Sequence, residues 1–225
     1  MDEMAPGILG IDQPFGRIGI NLGRRTTILE RSDGNLTLIA PGRFEPDEVA
    51  AIEALGTVDT IVAPSLLHDL DLAQSLEAFP SARLLGTMDY GRKRSIESID
   101  LDSVEARKRL GGEVDVFLVE GMPRANESVL YHAPTGSLIV ADLIMNIHDQ
   151  QGWLGRRLLQ WAGTYQKPGC SRLFRFLIKD RVAFRKSVEP LFDLDLERII
   201  VSHGTIIEQD ASQALREAVE VVWNS

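Results

Sequence analysis

The chain is poor in the features that fix a protein by covalent or membrane means. It has a single cysteine, Cys170, in 225 residues. That excludes an internal disulfide framework and fits a reducing compartment. No apolar run approaches the roughly 20 residues of a membrane-spanning helix, and Met1-Asp2-Glu3 is not the basic start of a secretory signal. A cytoplasmic protein is therefore expected. Aromatic residues make up only 6%, no internal repeat is visible, and a net charge of −9 argues against generic nucleic-acid binding.

What is present is enough for one large α/β domain. Hydrophobic residues make up 44% of the chain, which is long enough to build a proper core, so residues 1–225 are read as a single unit. Residues 1–24 are read as an N-terminal extension and 152–192 as a basic helical insert. Charge is unevenly spread: between Gly152 and Lys186 nine Lys or Arg face one acid, Asp180, so this segment carries +8 and the remainder −17 against a total of −9. Three uses of the insert stay open. It is a solvated face, a collar for an anionic small-molecule substrate or ligand, or a peripheral contact with membrane phospholipid, given Trp153, Trp161, Phe174 and Phe176 among the cations. RNA is a weaker fourth use. Oligomeric state is not legible.

Along the chain, Arg25 to Arg31 and Leu36 to Ala40 flank Ser32-Asp33-Gly34-Asn35, the pattern of a β-hairpin. Val49, Ile52 and Leu55 predict a helix over 45–55, with Pro46 near its start. Thr60 to Ala63 predicts a strand and Leu66 to Phe79 a helix beginning inside or just after the following loop. Short strands are expected at 82–86 and 114–119, with a helix around 103–110 between them. A second hairpin, Ser128 to Tyr131 and Ser137 to Ala141, turns over Pro134-Thr135-Gly136. Helices around 153–162 and 180–192 precede a last strand, Arg198 to Val201. Ala211, Leu215, Ala218, Val219 and Val222 mark an amphipathic closing helix.

Three strand ends present polar groups. Ala63 leads to His68, Asp69 and Asp71, Ala141 leads to Asp142, and Val201 leads to His203. Ligand sites of α/β folds lie at the C-terminal ends of strands, so these groups are candidates to converge. His203 read alone is as well explained as a structural histidine. His132 is read as structural, and His148 as either exposed or swung into the same pocket. Asp69 has the further reading of a helix cap.

This order of elements resembles the metallo-β-lactamase fold from Arg25 to about Val222. The family loop T-H-x-H-x-D-H-x-G aligns with Ser65 to Ala73, the G-H-T-P-G signature with Gly121 to Ala125, the G-D with Ala141-Asp142 and the final G-H-G with Ser202-His203-Gly204. The resemblance implies an αββα sandwich, two mixed β-sheets flanked by helices. Carried over by residue, the first loop His falls on Leu66, the loop Asp on Leu70, the last loop His on Asp71 and the middle His on Met122. His68, Asp142 and His203 keep the family's ligand type. In this the chain is similar to a branch of the superfamily with eroded metal motifs.

The resemblance then implies at most a mononuclear site. Asp71, Asp142 and His203 would hold one zinc, or iron or manganese, with an open water position, with His68 beside it as ligand or proton acceptor and His68 or Asp69 handling the proton. The expected activity is hydrolysis of an ester, amide or phosphoester. The alternative is a non-catalytic binding or regulatory module in which Leu66, Leu70 and Met122 fill the old cavity and the basic insert engages an anionic partner. An open pocket with Asp142 and His203 converging favours the enzyme, and a pocket filled by those apolar side chains favours the module.

Overall fold

A computed structural model describes residues 1–17 and 19–223. The first two strands, β1 (Asp2–Ala5) and β2 (Ile8–Gln13), are followed by a small hairpin of β3 (Gly16–Arg17) and β4 (Ile20–Asn21). Next come β5 (Arg24–Glu30), β6 (Asn35–Ile39), α1 (Pro46–Glu53), β7 (Thr57–Ala63), α2 (Leu72–Ala78), β8 (Arg83–Gly86), α3 (Tyr90–Arg94) and β9 (Ile99–Asp100). These strands form a seven-stranded sheet in the order β1-β2-β5-β6-β7-β8-β9, antiparallel up to β6 and parallel beyond it.

After α4 (Val104–Arg109), a second sheet of four strands is built from β10 (Val114–Leu118), β11 (Ser128–His132), β12 (Ser137–Val140) and β13 (Arg198–Val201). Its first pairs are antiparallel, and β12 to β13 is parallel. Helices α5 (Trp153–Ala162), α6 (Arg172–Leu177) and α7 (Arg181–Val188) lie between β12 and β13, and α8 (Ala211–Glu220) closes the chain.

The strands read as continuous apolar runs because both faces of each sheet are covered. Successive side chains point to opposite faces. In β11 to β13, Leu130, Ile139 and Ile200 join Leu29, Ile39, Val62 and Leu85 of the larger sheet between the two sheets. Their neighbours Val129, Val140 and Val201 point outward to Phe174, Phe184 and Leu215 of the outer helices. On the far side, Leu36, Leu38 and Ile61 meet Ile52, Leu72 and Tyr90. The result is an αββα sandwich with two mixed sheets, as the resemblance implies.

Two readings change. Residues 2–13, read as part of an extension, supply the outer strands β1 and β2, and Ala5 and Ile8 enter the core between the sheets. Short length and glycines at 7 and 10 hide the strand alternation there. The basic segment holds α6, which was not foreseen: six residues are too few for a helical period to register.

Candidate metal centre

The loop after β7 is held from beneath. Leu66 N–H donates to the Ala125 carbonyl at 2.8 Å, and the Ser65 hydroxyl accepts from Leu67 N–H at 3.0 Å. Ala125 itself sits in a tight turn closed onto the Met122 carbonyl. The loop therefore turns before α2 begins, and His68 points to the ends of β12 and β13.

At the end of β12, Glu127 fixes the backbone that carries Asp142. Its buried carboxylate accepts N–H groups from Ala141 at 2.9 Å, Asp142 at 3.0 Å and Leu143 at 3.2 Å. Burial, and then the charge of Asp142, push the Glu127 carboxyl up to about 7 against those three donors. At the end of β13, His203 Nδ1 lies 2.6 Å from the Gly23 carbonyl, so it donates there and leaves the Nε2 lone pair facing the site. Phe15 stacks on the His203 ring at 5.9 Å between centroids.

Three side chains converge. His68 Nε2 lies 3.3 Å from Asp142 Oδ2, and His203 Nε2 lies 3.5 Å from Asp142 Oδ1. One ligand atom from each of the three falls within 4.8 Å of the others, and no other such group of His, Cys, Asp or Glu occurs among the described residues. Burial works against a charged His68, but Asp142 outweighs it and raises the imidazole above its ordinary value. For Asp142 burial acts upward, and His68 more than offsets it, so the carboxyl is held low. His203 is lowered, chiefly by burial.

The donor set fits a zinc-type ion. Such ligands sit about 2.0–2.2 Å from the metal, which places tetrahedral neighbours about 3.3–3.6 Å apart. The two histidine contacts, at 3.3 and 3.5 Å, go to different oxygens of Asp142, so they are not two edges of one such set; one donor atom from each of the three residues lies within 4.8 Å of the others, close enough to gather round one ion. A histidine whose other nitrogen is tied to a carbonyl is the usual outer support of a metal ligand.

The remaining expected residues lie near this cluster but are otherwise engaged. Asp71, expected as a ligand, is ion-paired with Arg24 and stands outside the group of three, which His68 completes in its place. The sequence cannot show this, because Arg24 comes from β5, far away along the chain. Asp69 pairs with Arg94 at 2.6 Å. Both acids line, with His68 and His203, a small cavity of about 50 Å³. Leu66 and Met122 are buried in the flanking apolar clusters, whereas Leu70 is 61% exposed and lies on the wall of the small cavity. His148 is exposed, its Nε2 at 2.9 Å from the Asn146 side chain, and His132 Nδ1 bonds Thr135. Glu127 is not among the residues the sequence points to, and its one sequence signal is its place as an acid directly before the run at 128–131.

A wider cleft of about 510 Å³ lies beside the cluster, behind Gly23, Arg24, Ser202 and Gly204. Arg25 forms part of its floor: its guanidinium donates to the Val201 and Gly204 carbonyls at 2.9 and 3.1 Å and pairs with Asp12.

No family model matches the sequence, and no curated protein does. Solved structures do. A metallo-β-lactamase from Erythrobacter litoralis, with β-mercaptoethanol in its active site, superposes with a TM-score of 0.68 at 13% identity, covering 98% of this chain and 95% of that one. One from Pontibacter korlensis gives 0.65 at 12% identity over 99% and 98%. A Nostoc protein named as a diflavin flavoprotein gives 0.63 at 12% identity over 98% and 95%. Over the described residues the chain has the metallo-β-lactamase fold.

Proposed function

We propose that the protein is a metal-dependent hydrolase with one ion held by His68, Asp142 and His203, acting on an ester, amide or phosphoester. The observation that carries the reading is the convergence of three N and O donors from three strand ends, with His203 oriented through Gly23. A zinc-type ion bound there would supply a water of lowered pKa and polarise the substrate oxygen. The chain's own part is positioning. Glu127 holds the turn that presents Asp142, and Phe15 shields one face of the His203 ring. Asp69 and Asp71 line the cavity next to the three donors, where a carboxylate accepts a proton from water, and each is paired with an arginine. Arg24 lies on the walls of both the small cavity and the cleft, where an anionic substrate group would share it with Asp71.

A second reading, a binding module without catalysis, draws support from the buried Leu66 and Met122 where the resemblance implies ligands, and from the small volume at the cluster. Metal analysis after chelation and zinc titration tests the first. The expected result is one bound ion per chain, lost in Asp142→Asn, with hydrolysis of p-nitrophenyl esters or phosphoesters that follows occupancy. Less than a tenth of an equivalent taken up would overturn it.

A further inference from the structure

We propose that the face formed by α5 and α6 docks the protein on an anionic phospholipid bilayer, as a helix lying in the headgroup region. No helix among the described residues is long and apolar enough to cross a membrane, so the contact is interfacial.

The argument begins with the periodicity of α5. At about 100° per residue, Gly155, Leu159 and Ala162 form one stripe, and these are its buried residues. Leu154, Leu158 and Trp161 recur at the same i, i+4, i+7 spacing about 100° round the helix, yet all three are exposed. The helix thus has two apolar stripes and buries one. Arg157 and Arg156 lie on the rest of its circumference, together with Trp153, which is 76% exposed.

The apolar surface continues into α6. Leu173 is 69% and Phe176 75% exposed. The two helices pack together, and the Arg172 guanidinium sits over the Trp161 ring at 5.7 Å. Lys179 lies over Phe176 at 4.8 Å. Isolated exposed apolar residues are ordinary, but six large ones on two touching helices form a patch of the kind that marks a partner.

Charge selects the partner. From Gly152 to Lys179, the stretch that carries α5 and α6, there are six Lys or Arg and no acid, in a chain of net charge −9, so the patch is attractive to an anionic surface and the rest of the molecule is not. Tryptophan beside Arg and Lys is the composition of a bilayer interface, where the ring enters the headgroup level and the cation meets phosphate. Beside Trp161 the surface opens into a cavity of about 220 Å³ lined by Lys167, Arg172 and Arg175, with Glu217 the acid on its wall. Arg175 Nε is buried there without a hydrogen-bond partner. That is a place for a lipid phosphate, and it abuts the apolar stripe as headgroup abuts acyl chain.

The test is co-flotation of the full chain with vesicles of phosphatidylcholine alone and of phosphatidylcholine mixed with phosphatidylglycerol, at low and high salt. Two exposed-site variants accompany it, Leu154→Ser/Phe176→Ser and Lys167→Glu/Arg172→Glu, each checked for an unchanged melting transition. The expected result is flotation on the mixed vesicles only, reduced by salt and weakened at least about ten-fold by each variant. Trp153 and Trp161 fluorescence should be quenched by brominated lipid. Absence of flotation, equal flotation on neutral vesicles, or insensitivity to both variants would overturn the proposal. So would a stable dimer in sedimentation that buries Trp153 and Trp161, or single-stranded RNA binding that survives vesicle competition and is lost in the same variants.

Discussion

Glu127 accepts the backbone N–H of Asp142 with one carboxylate oxygen and those of Ala141 and Leu143 with the other. An acid buried behind a candidate ligand, touching its main chain and not its side chain, acts on where that ligand points.

Glu127→Gln should therefore separate positioning from bulk. The amide keeps one acceptor oxygen but turns an NH₂ toward a donor, so a buried N–H loses its partner at a cost of about 1–3 kcal/mol. The displaced turn should weaken zinc affinity on the order of 10–100-fold, as losses of outer support do. Chemical denaturation and competition with a zinc chelator measure the two. A stability loss with unchanged zinc affinity would make Glu127 a structural acid only.

The choice between Asp71 and His68 as third ligand is open to direct substitution. Asp71→Asn should leave zinc stoichiometry at one per chain, because its carboxylate is committed to Arg24, whereas His68→Ala, Asp142→Asn and His203→Ala should abolish it. Breaking the Arg24 pair should cost about 1–3 kcal/mol, since both side chains are mostly buried and Arg24 is left without its carboxylate. Calorimetric zinc titration of the four variants decides the matter, and loss of uptake in Asp71→Asn would restore the sequence expectation.

That contrast shows what the sequence carries. Strands such as those at 60–63, 128–131 and 198–201 were legible as largely apolar runs bounded by turn residues, and the αββα sandwich was legible only through the resemblance that their order and the aligned motifs carry. Asp142 and His203 were legible as polar residues that end such runs. The commitments of Asp71 to Arg24 and Asp69 to Arg94 were not, because each partner arrives from a distant element and charge pairing leaves no local pattern. The strands at 2–13 escaped because glycine replaces the alternation they would otherwise show.

Arg31 gives the larger sheet a prediction in pH. It is buried and bonds Asp33 at 2.9 Å, Asp59 at 2.8 Å and Thr60 Oγ1 at 3.1 Å, joining the β5–β6 turn to β7. Bonding to Arg31, with help from the Asn35 backbone, lowers the Asp33 carboxyl to about 2. A depressed carboxyl contributes stability that is complete above its ordinary value near 3.8 and is lost as pH falls toward 2. Because Asp33 is largely exposed, solvent screens the pair and the contribution is small. Arg31→Met should lower stability by about 1–3 kcal/mol at neutral pH through the stranded Asp59 and Thr60, and less in acid. The gap between the denaturant midpoints of the two proteins should narrow only by the small share of Asp33 as pH falls from about 4 toward 2, and a constant gap would remove Asp33 from the account.

Two glycines near His203 predict unequal outcomes from the same substitution. Gly204 has φ +101 and Gly23 has φ +60, so alanine is strained at both. A methyl at Gly23 meets nothing within 4 Å, and Gly23→Ala should cost only the left-handed penalty of about 1–2 kcal/mol. A methyl at Gly204 would be driven into the Asn146 carbonyl, backbone that is itself pinned: Asn146 N–H donates to the His203 carbonyl at 3.1 Å, and its carbonyl accepts from Thr205 at 2.8 Å. Gly204→Ala must therefore move the chain that carries His203, at a cost of more than about 3 kcal/mol, in the range of severe core changes. Melting transitions rank the two. Zinc affinity should fall in Gly204→Ala and hold in Gly23→Ala, whose carbonyl still receives His203 Nδ1–H. Equal losses in both would mean that strain at φ alone, and not the packing of 146 against 204, sets the position of His203.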